Sequence, residues 1–358
     1  MFSNFNVLIT GETGVGKSVI VKDFLKNTPE EYVSAFVNFS GKTTTQNLQA
    51  AFEGNLEAKR KTLLGPPGGK KMIFFIDDLN MPQLDTYGSQ PPCELLRQTI
   101  DSTGFYDTKK LIFKQIKDTK FVCACAPPGG GRNQVTPRLF RHFSMIWIPD
   151  LSSNSMRMIF TAILKGFLEQ NESSGLYIHA EPIIQASVDI YLKTINDFLP
   201  TPTKCHYTFN LRDLSKVVQG MLMINLENLT SKDYLMYLWL HETFRVFRDR
   251  LIDDKDRQKF NAMTHEIMES YLSMDWEPKN YTEVLFGHFE TEGQYIKLSE
   301  TNKLIPRLDE CLEMYNQDNP PMNLVFFSDC ISHLSRISRV LRQQRGNALL
   351  VGVGGSGR

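Results

Sequence analysis

The chain has little of what would place a protein in a membrane, outside the cell or on nucleic acid. No apolar run in its 358 residues approaches the roughly 18 residues of a membrane-spanning helix, and the N-terminus lacks the basic-then-apolar pattern of a secretory signal. Basic and acidic residues number 40 each, so no excess charge favours nucleic acid or an anionic membrane. We therefore expect neither nucleic acid nor a membrane as a partner.

Cysteine and histidine are too scattered to form a metal site or a disulfide framework. The six cysteines include no C-x-x-C pair, and the seven histidines show no metal-ligand spacing. Cys123 and Cys125 alternate along one face of a predicted buried strand, which favours core packing. This pattern is typical of a reduced cytosolic protein.

Hydrophobic periodicity changes along the chain and predicts two main domains. Residues 1–150 alternate apolar strands with amphipathic helices, which indicates a large α/β domain with a parallel sheet. Strands are expected near residues 5–10, 32–39, 72–77, 120–126 and 143–148, and helices near 17–27, 43–58, 92–103 and 136–142. Residues 109–118 fit either a hairpin or a charged helix.

Helical periodicity dominates residues 151–345, which predicts a helical lid or small domain with connecting helices. The helices are expected near residues 152–168, 182–198, 211–226, 232–251, 258–274, 302–316 and 325–345.

A complete phosphate-binding motif, G-x-x-x-x-G-K-S, stands between the first predicted strand and helix. A glycine-rich turn there points successive N–H groups at an anion, and the helix N-terminus adds partial positive charge. The lysine of this motif reaches the β- and γ-phosphates, and the serine hydroxyl ligates Mg²⁺. The predicted nucleotide-binding residues are Gly11, Glu12, Thr13, Gly14, Val15, Gly16, Lys17, Ser18 and Val19.

The second half of such a site is an acidic pair at the end of a neighbouring strand. Asp77 and Asp78 follow the apolar run of residues 72–76, and Asp77 would hold Mg²⁺ together with Ser18. Asp78 stands where many ATPases of this architecture carry a glutamate that polarises the attacking water. Aspartate is one methylene shorter, about 1.5 Å, and a displacement of that order can cost about 10²-fold in rate.

The opening pattern returns at the end of the sequence. An apolar run at 349–351 precedes Gly352–Arg358, which again reads as a glycine-rich loop ending in a basic residue. Residues 346–358 are therefore expected to begin a further module of the same kind.

Several motifs in combination resemble the AAA+ modules of dynein heavy chains, and the resemblance covers essentially the whole chain. They are Asp77–Pro82, Pro127–Asn133, Arg138–Phe143, Phe209–Ser215 and Leu240–Phe247. The likeness is strongest to the third of the six modules in an axonemal dynein motor, and the closing loop is similar to the start of the fourth. It implies a P-loop AAA+ parallel sheet flanked by helices, followed by an all-helical lid.

The resemblance implies roles for individual residues. Asp77 matches the aspartate that holds Mg²⁺, whereas Asp78 departs from the glutamate of strong hydrolases. The neighbouring strand should end in a polar sensor, usually asparagine, but this chain has Ala126. Arg212 corresponds to the second sensor, a lid cation that approaches the γ-phosphate; the alternative interpretation of Arg212 is a surface salt bridge.

Arg141 lies at the arginine-finger position, with Arg138 as the nearby alternative. In an AAA+ ring this finger acts on the nucleotide of the preceding module, and the following module supplies the finger for this site. The implied partners are neighbouring modules of the same heavy chain and other axonemal dynein subunits, with microtubules reached only through a stalk outside this chain. The implied location is the cytoskeleton of the cytoplasm, in the axoneme of cilia and flagella.

Three functional hypotheses follow from these residues. The first is a regulatory module that binds Mg-ATP or ADP and hydrolyses ATP slowly or not at all, because Asp78 and Ala126 weaken water activation. The second is a competent ATPase site in the intact ring. The third is a structural module with a vestigial pocket.

Overall fold

A computed structural model describes residues 5–107, 111–272, 285–289, 294–298, 301–344 and 346–350. The chain divides into two compact units, Met1–Leu151 and Ser152–Arg358. The first unit has an α/β architecture, and helices dominate the second. The predicted fold class is confirmed in both units. The predicted second loop, at residues 352–358, lies outside the described residues.

The first unit is built on a parallel sheet of five strands among the residues described there. Its order is β2-β5-β8-β1-β9, and every neighbouring pair is parallel. The strands are β1 (Asn6–Thr10), β2 (Tyr32–Asn38), β5 (Lys71–Asp77), β8 (Thr119–Cys125) and β9 (Phe143–Trp147). These agree with the strands predicted from the apolar runs to within two residues.

Helices cover both faces of this sheet and bury two separate clusters. On one face Val21 and Leu25 pack with Phe75, and on the other Phe52 packs with Phe74. Phe74 and Phe75 are adjacent in β5 and fully buried, because successive side chains of a strand point to opposite faces. The helices of this unit are α1 (Lys17–Lys26), α2 (Thr45–Asn55), α3 (Pro91–Asp101) and α4 (Pro137–Phe140).

A second, smaller sheet was not predicted from the sequence. Its order is β3-β4-β7-β6, formed by β3 (Glu57–Arg60), β4 (Leu63–Gly65), β6 (Gly104–Tyr106) and β7 (Phe113–Ile116). The predicted helix over 43–58 is too long: it ends at Asn55, and the chain turns extended at Leu56, whose side chain is buried. β7 favours the hairpin interpretation of residues 109–118, although its partner strand β6 lies before that range.

The second unit contains most of the predicted helices. They are α5 (Ser153–Leu168), α6 (Ala180–Asp197), α7 (Leu211–Met221), α8 (Lys232–Val246), α9 (Asp254–Leu272), α10 (Thr301–Asp318) and α11 (Ser328–Arg342). No helix of the described residues combines the length and apolarity needed to cross a membrane. This unit is not wholly helical, since β10 (Phe286–Gly287) pairs antiparallel with β11 (Ile296–Lys297).

Local capping explains where some of these helices begin and end. Ser152 and Ser231 cap the starts of α5 and α8, where their hydroxyl oxygens accept hydrogen bonds from backbone N–H groups. The predicted helix over 211–226 stops at Met221. The Asn225 side chain then caps a separate turn at Leu226–Asn228, so a new element begins within the predicted span.

A buried charge cluster joins α8 to α11 within the second unit. Glu242 and Arg339 are fully buried, and the Arg339 Nε donates to Glu242 Oε1 at 3.0 Å. Arg245 Nε and the Tyr295 hydroxyl also donate to the Glu242 carboxylate, at 2.9 and 2.6 Å. Burial alone would raise the pKa of Glu242, but the neighbouring arginines outweigh burial and lower it. Gly220 leaves room for this cluster, since a Cβ there would clash with Glu242 and Arg339.

Glu242→Ala is expected to lower the free energy of unfolding of the second unit by about 3–5 kcal/mol, because it leaves Arg339 buried without its counter-charge. Hydrogen exchange of α8 amides measures this effect. The matched control is Glu266→Ala, which removes an exposed ion pair to Lys193 and should change stability by less than about 1 kcal/mol. Equal effects of the two substitutions would contradict this account of the cluster.

Candidate nucleotide-binding site

The phosphate loop, the acidic pair and Ala126 lie at one edge of the main sheet. β8 lies between β5 and β1, and the three strands are parallel, so their carboxyl ends reach the same edge. The phosphate-loop sequence follows β1, the acidic pair ends β5, and Ala126 follows β8. The sheet order thus explains how segments far apart in sequence form one site.

The phosphate-loop sequence makes the expected turn from strand to helix. It leaves β1 after Thr10 and enters α1 at Lys17. Gly14 and Gly16 have φ angles of 94° and 92°, a region that side chains with a Cβ rarely adopt. Val19 lies on the exposed side of the first helical turn. The backbone here has the form that exposes N–H groups to an anion at a helix N-terminus.

Gly11 is required by close packing as well. A Cβ at this position would clash with the carbonyl oxygen of Ile148, the residue after β9. Ile148 in turn donates its N–H to Thr10 at 2.8 Å. The start of the loop is therefore held directly against the edge strand of the sheet.

Several charged and polar groups of this site act on the Lys17 ammonium group. Its ammonium group donates to the carbonyl oxygens of Gly11 and Glu12, at 2.8 and 2.7 Å. Burial lowers the pKa of Lys17 most strongly, and the charge of Arg132 lowers it further. Cys125, Asp77 and Asp78 act in the opposite direction. All four groups are therefore close enough to influence the lysine electrostatically.

The acidic pair lies at the end of β5 as predicted, with Asp77 as the last residue of the strand and Asp78 directly after it. The Asp78 N–H donates to the Asp77 carboxylate at 3.1 Å, and Asp78 has a φ angle of 53°. Its half-exposed carboxylate forms an ion pair with Arg132, at 3.7 Å between Oδ1 and Nη2. The residue expected to activate water thus pairs with Arg132, a cation that the sequence alone does not identify as part of the site.

Ala126 is buried at the end of β8, and its backbone rather than its side chain is used. The Asn80 amide donates to the Ala126 carbonyl oxygen at 2.7 Å. Leu79 also donates its N–H to Ala124, at 2.9 Å. These bonds fix the loop after Asp78 against the end of β8, so Asn80 positions the acidic pair. The sequence signal for Asn80 was its place in the Asp77–Pro82 motif.

The residues present fit a magnesium-nucleotide complex of the P-loop type. Ser18 in the first turn of α1 and Asp77 at the end of β5 are the two predicted magnesium ligands. Among the residues that the structure describes, no group of three or more His, Cys, Asp or Glu side chains could hold a metal ion. Magnesium in nucleotide sites needs no such cluster, since water and phosphate oxygens complete its octahedron.

Arg212 lies in the second unit, in the first turn of α7. Asn210 and Asp213 form a capping box there, in which Asn210 accepts the Arg212 N–H at 2.9 Å. The Arg212 side chain is exposed. It lines a cavity of about 350 Å³ together with other cationic side chains, Lys216, Arg245 and Arg250. Asp213 also lines this cavity and forms ion pairs with Lys216 and Arg250.

The two finger candidates lie at the end of the first unit. Arg141 follows α4 and is 59% exposed, with its Nη2 3.5 Å from Asp101 and its Nε 3.2 Å from His142. Arg138 within α4 is exposed as well. Exposure leaves both available to a neighbour, and the choice between them stays open.

Three family profiles match this chain. Residues 1–151 match the P-loop containing dynein motor region, and residues 183–277 match the AAA+ lid domain. Residues 322–358 match the P-loop containing dynein motor region D4. The first two matches agree with a P-loop AAA+ domain followed by a helical lid.

Nearly the whole chain is also similar to axonemal dynein heavy chains. It is 48% identical to human dynein axonemal heavy chain 6 over 99% of this chain, and 44% identical to human dynein axonemal heavy chain 1 over 98%. Identity to dynein axonemal heavy chain 12 of Rattus norvegicus is 40%, again over 98% of this chain. The chain spans 9% of the length of the first two relatives and 12% of the third.

Gly11→Ala is expected to lower the free energy of unfolding of the first unit by about 1–3 kcal/mol, because the added methyl group must displace the backbone at Ile148. Urea unfolding monitored by circular dichroism measures this loss. Gly41→Ala is the matched control, since a Cβ there would make only ordinary contact with Gln83, at 3.9 Å. The account of Gly11 fails if the two alanine variants unfold alike.

Proposed function

We propose that this chain, which corresponds to an AAA+ module region of the axonemal dynein heavy chains, binds Mg-ATP or ADP and regulates the motor. The observation that carries the proposal is the intact phosphate loop, with Lys17 bonded to the loop carbonyl oxygen of Gly11 and Asp77 at the end of β5 on the same sheet edge. The loop N–H groups and Lys17 bind the phosphates. Ser18 and Asp77 hold Mg²⁺, which offsets phosphate charge when bound.

Hydrolysis at this site is proposed to be slow or absent. Asp78 has a shorter side chain than glutamate, so its carboxylate lies farther from the position of an attacking water. Ala126 offers no side-chain hydrogen bond to place a water. A finger from another module, worth about 10³–10⁵ in rate in well-studied cases, is not part of this chain. Retention of nucleotide is thus favoured over turnover.

We place the chain at the third module of the motor ring, with the start of the fourth at its end. The match of residues 322–358 to motor region D4 supports this order. Arg141, or alternatively Arg138, would then act on the nucleotide of the preceding module. Arg212 would act as second sensor from the lid, and nucleotide state would shift the lid relative to the large domain.

The whole heavy chain is proposed to be a minus-end-directed microtubule motor of cilia and flagella. The relatives named above are axonemal dynein heavy chains, which supports an axonemal, cytoskeletal location. The partners are then the adjoining modules of the same heavy chain and other axonemal dynein subunits. Microtubules are contacted through the stalk, outside this chain.

Binding of a fluorescent ATP analogue in the presence of Mg²⁺ tests whether this site binds nucleotide. Lys17→Ala should weaken binding at least about tenfold, because it removes a cation from the phosphates. Lys22→Ala, on the exposed side of the same helix, is the matched control and should leave binding unchanged. Binding that is absent, or insensitive to Lys17→Ala, would instead support a structural module with a vestigial pocket.

The double substitution Ala126→Asn and Asp78→Glu, introduced into the intact motor, tests whether hydrolysis at this site is slow because these two groups are missing. Turnover at this site should rise, by about 10²-fold if the carboxylate reach is the main deficit, because both changes supply missing groups for the attacking water. Single-turnover kinetics with the other nucleotide sites blocked measures it. Unchanged or slower turnover would favour a site that is already a competent ATPase in the ring.

A further inference from the structure

The Pro127–Asn133 motif has no role in the nucleotide chemistry described so far, yet its backbone is fixed. Gly129 and Arg132 exchange two backbone hydrogen bonds, of 3.1 and 3.0 Å, around Gly130 and Gly131. Both central glycines have positive φ angles, 57° and 87°, as in the tight turns that reverse a strand sharply. The three glycines therefore fold the chain back on itself and return Arg132 toward the end of β8.

A second set of hydrogen bonds ties this turn to the acidic loop. Asn133 donates its N–H to the Asn80 carbonyl oxygen at 3.0 Å and its side-chain amide to Pro82 at 2.8 Å. Asn80 in turn holds Ala126. Arg132 is thus fixed on both sides, by Gly129 before it and by Asn133 after it.

The Arg132 guanidinium is partly buried and incompletely bonded. Its separation of 3.7 Å from Asp78 makes an ion pair that is too long for a hydrogen bond. Its Nε is buried and has no hydrogen-bond partner within the described parts of the chain. Burial lowers the pKa of Lys17, and the charge of Arg132 lowers it further; burial raises the pKa of Cys125, and Arg132 partly opposes that rise.

We propose that Arg132 is the cation that distinguishes ATP from ADP at this site, in place of the polar sensor that Ala126 cannot supply. It pairs with Asp78 when no γ-phosphate is present and with the γ-phosphate when ATP is bound. This proposal rests on the nucleotide binding proposed above and assigns it a specificity-determining residue in the same module.

Charge and geometry both favour the exchange of partners. A terminal phosphate carries more negative charge than one carboxylate and presents three oxygens, so it competes effectively for a guanidinium. The planar fork of arginine can make two parallel hydrogen bonds to a phosphate, which Asp78 does not receive here. ADP lacks this group and leaves Arg132 on Asp78. The difference between the two nucleotides is thereby read by one side chain.

Equilibrium titration of the chain with fluorescent ADP and with a fluorescent, slowly hydrolysed ATP analogue, both with Mg²⁺, tests this role. Arg132→Gln should weaken binding of the ATP analogue by about 10–100-fold, the loss expected for charge-assisted hydrogen bonds. Binding of ADP should change by less than about threefold, because ADP makes no contact with Arg132 in this scheme. Arg60→Gln, which removes an exposed arginine of β3, is the matched control and should change neither affinity.

A second variant tests the proposal without removing Arg132. Asp78→Asn releases the guanidinium from its ion pair and should strengthen binding of the ATP analogue while leaving ADP unchanged. This proposal is overturned if the ratio of ATP to ADP affinity is the same in wild type and Arg132→Gln, or if that ratio does not rise in Asp78→Asn. In either case, binding that depends on Lys17 would still support the proposal that the site binds nucleotide. Failure of the wild-type chain to bind either nucleotide overturns both.

Discussion

The parallel pairing of β5, β8 and β1 is the constraint on which the candidate site depends. These strands lie side by side although their sequences are separated by helices and by a second sheet. Because parallel strands end at one edge, the segments that carry Lys17, Asp77 and Ala126 reach the same edge of the sheet although they are far apart in sequence. Fully buried residues such as Phe74 and Phe75 stabilise this pairing from the two faces of the sheet. The packing of the core therefore also positions the site.

Loops supply the remaining precision at this edge. The Asn80 amide on Ala126 and the Asn133 contacts on Asn80 and Pro82 link the acidic loop to the glycine turn. A loop that is bonded at several points keeps its side chains in one arrangement, which a nucleotide site requires. The acidic pair and Arg132 are consequently parts of one bonded unit rather than neighbours by chance.

Much of the fold could be predicted from the sequence because its signals are local. The buried runs before Asp77 and Ala126, and the glycine pattern before Lys17, each identify an element by themselves. The second sheet could not be predicted this way, since β3 is exposed along its whole length and has no apolar alternation. The pairing of Arg132 with Asp78 joins residues far apart in sequence, and no local pattern indicates such a pair.

The left-handed backbone at Asp78 gives its short side chain a second explanation. Aspartate and asparagine tolerate a φ of 53° better than longer residues do, because a short polar side chain can bond locally to the backbone. A glutamate at this position would have a longer side chain but would adopt the left-handed backbone less readily. The residue at this position therefore affects the backbone conformation at the end of the strand as well as the chemistry of water activation.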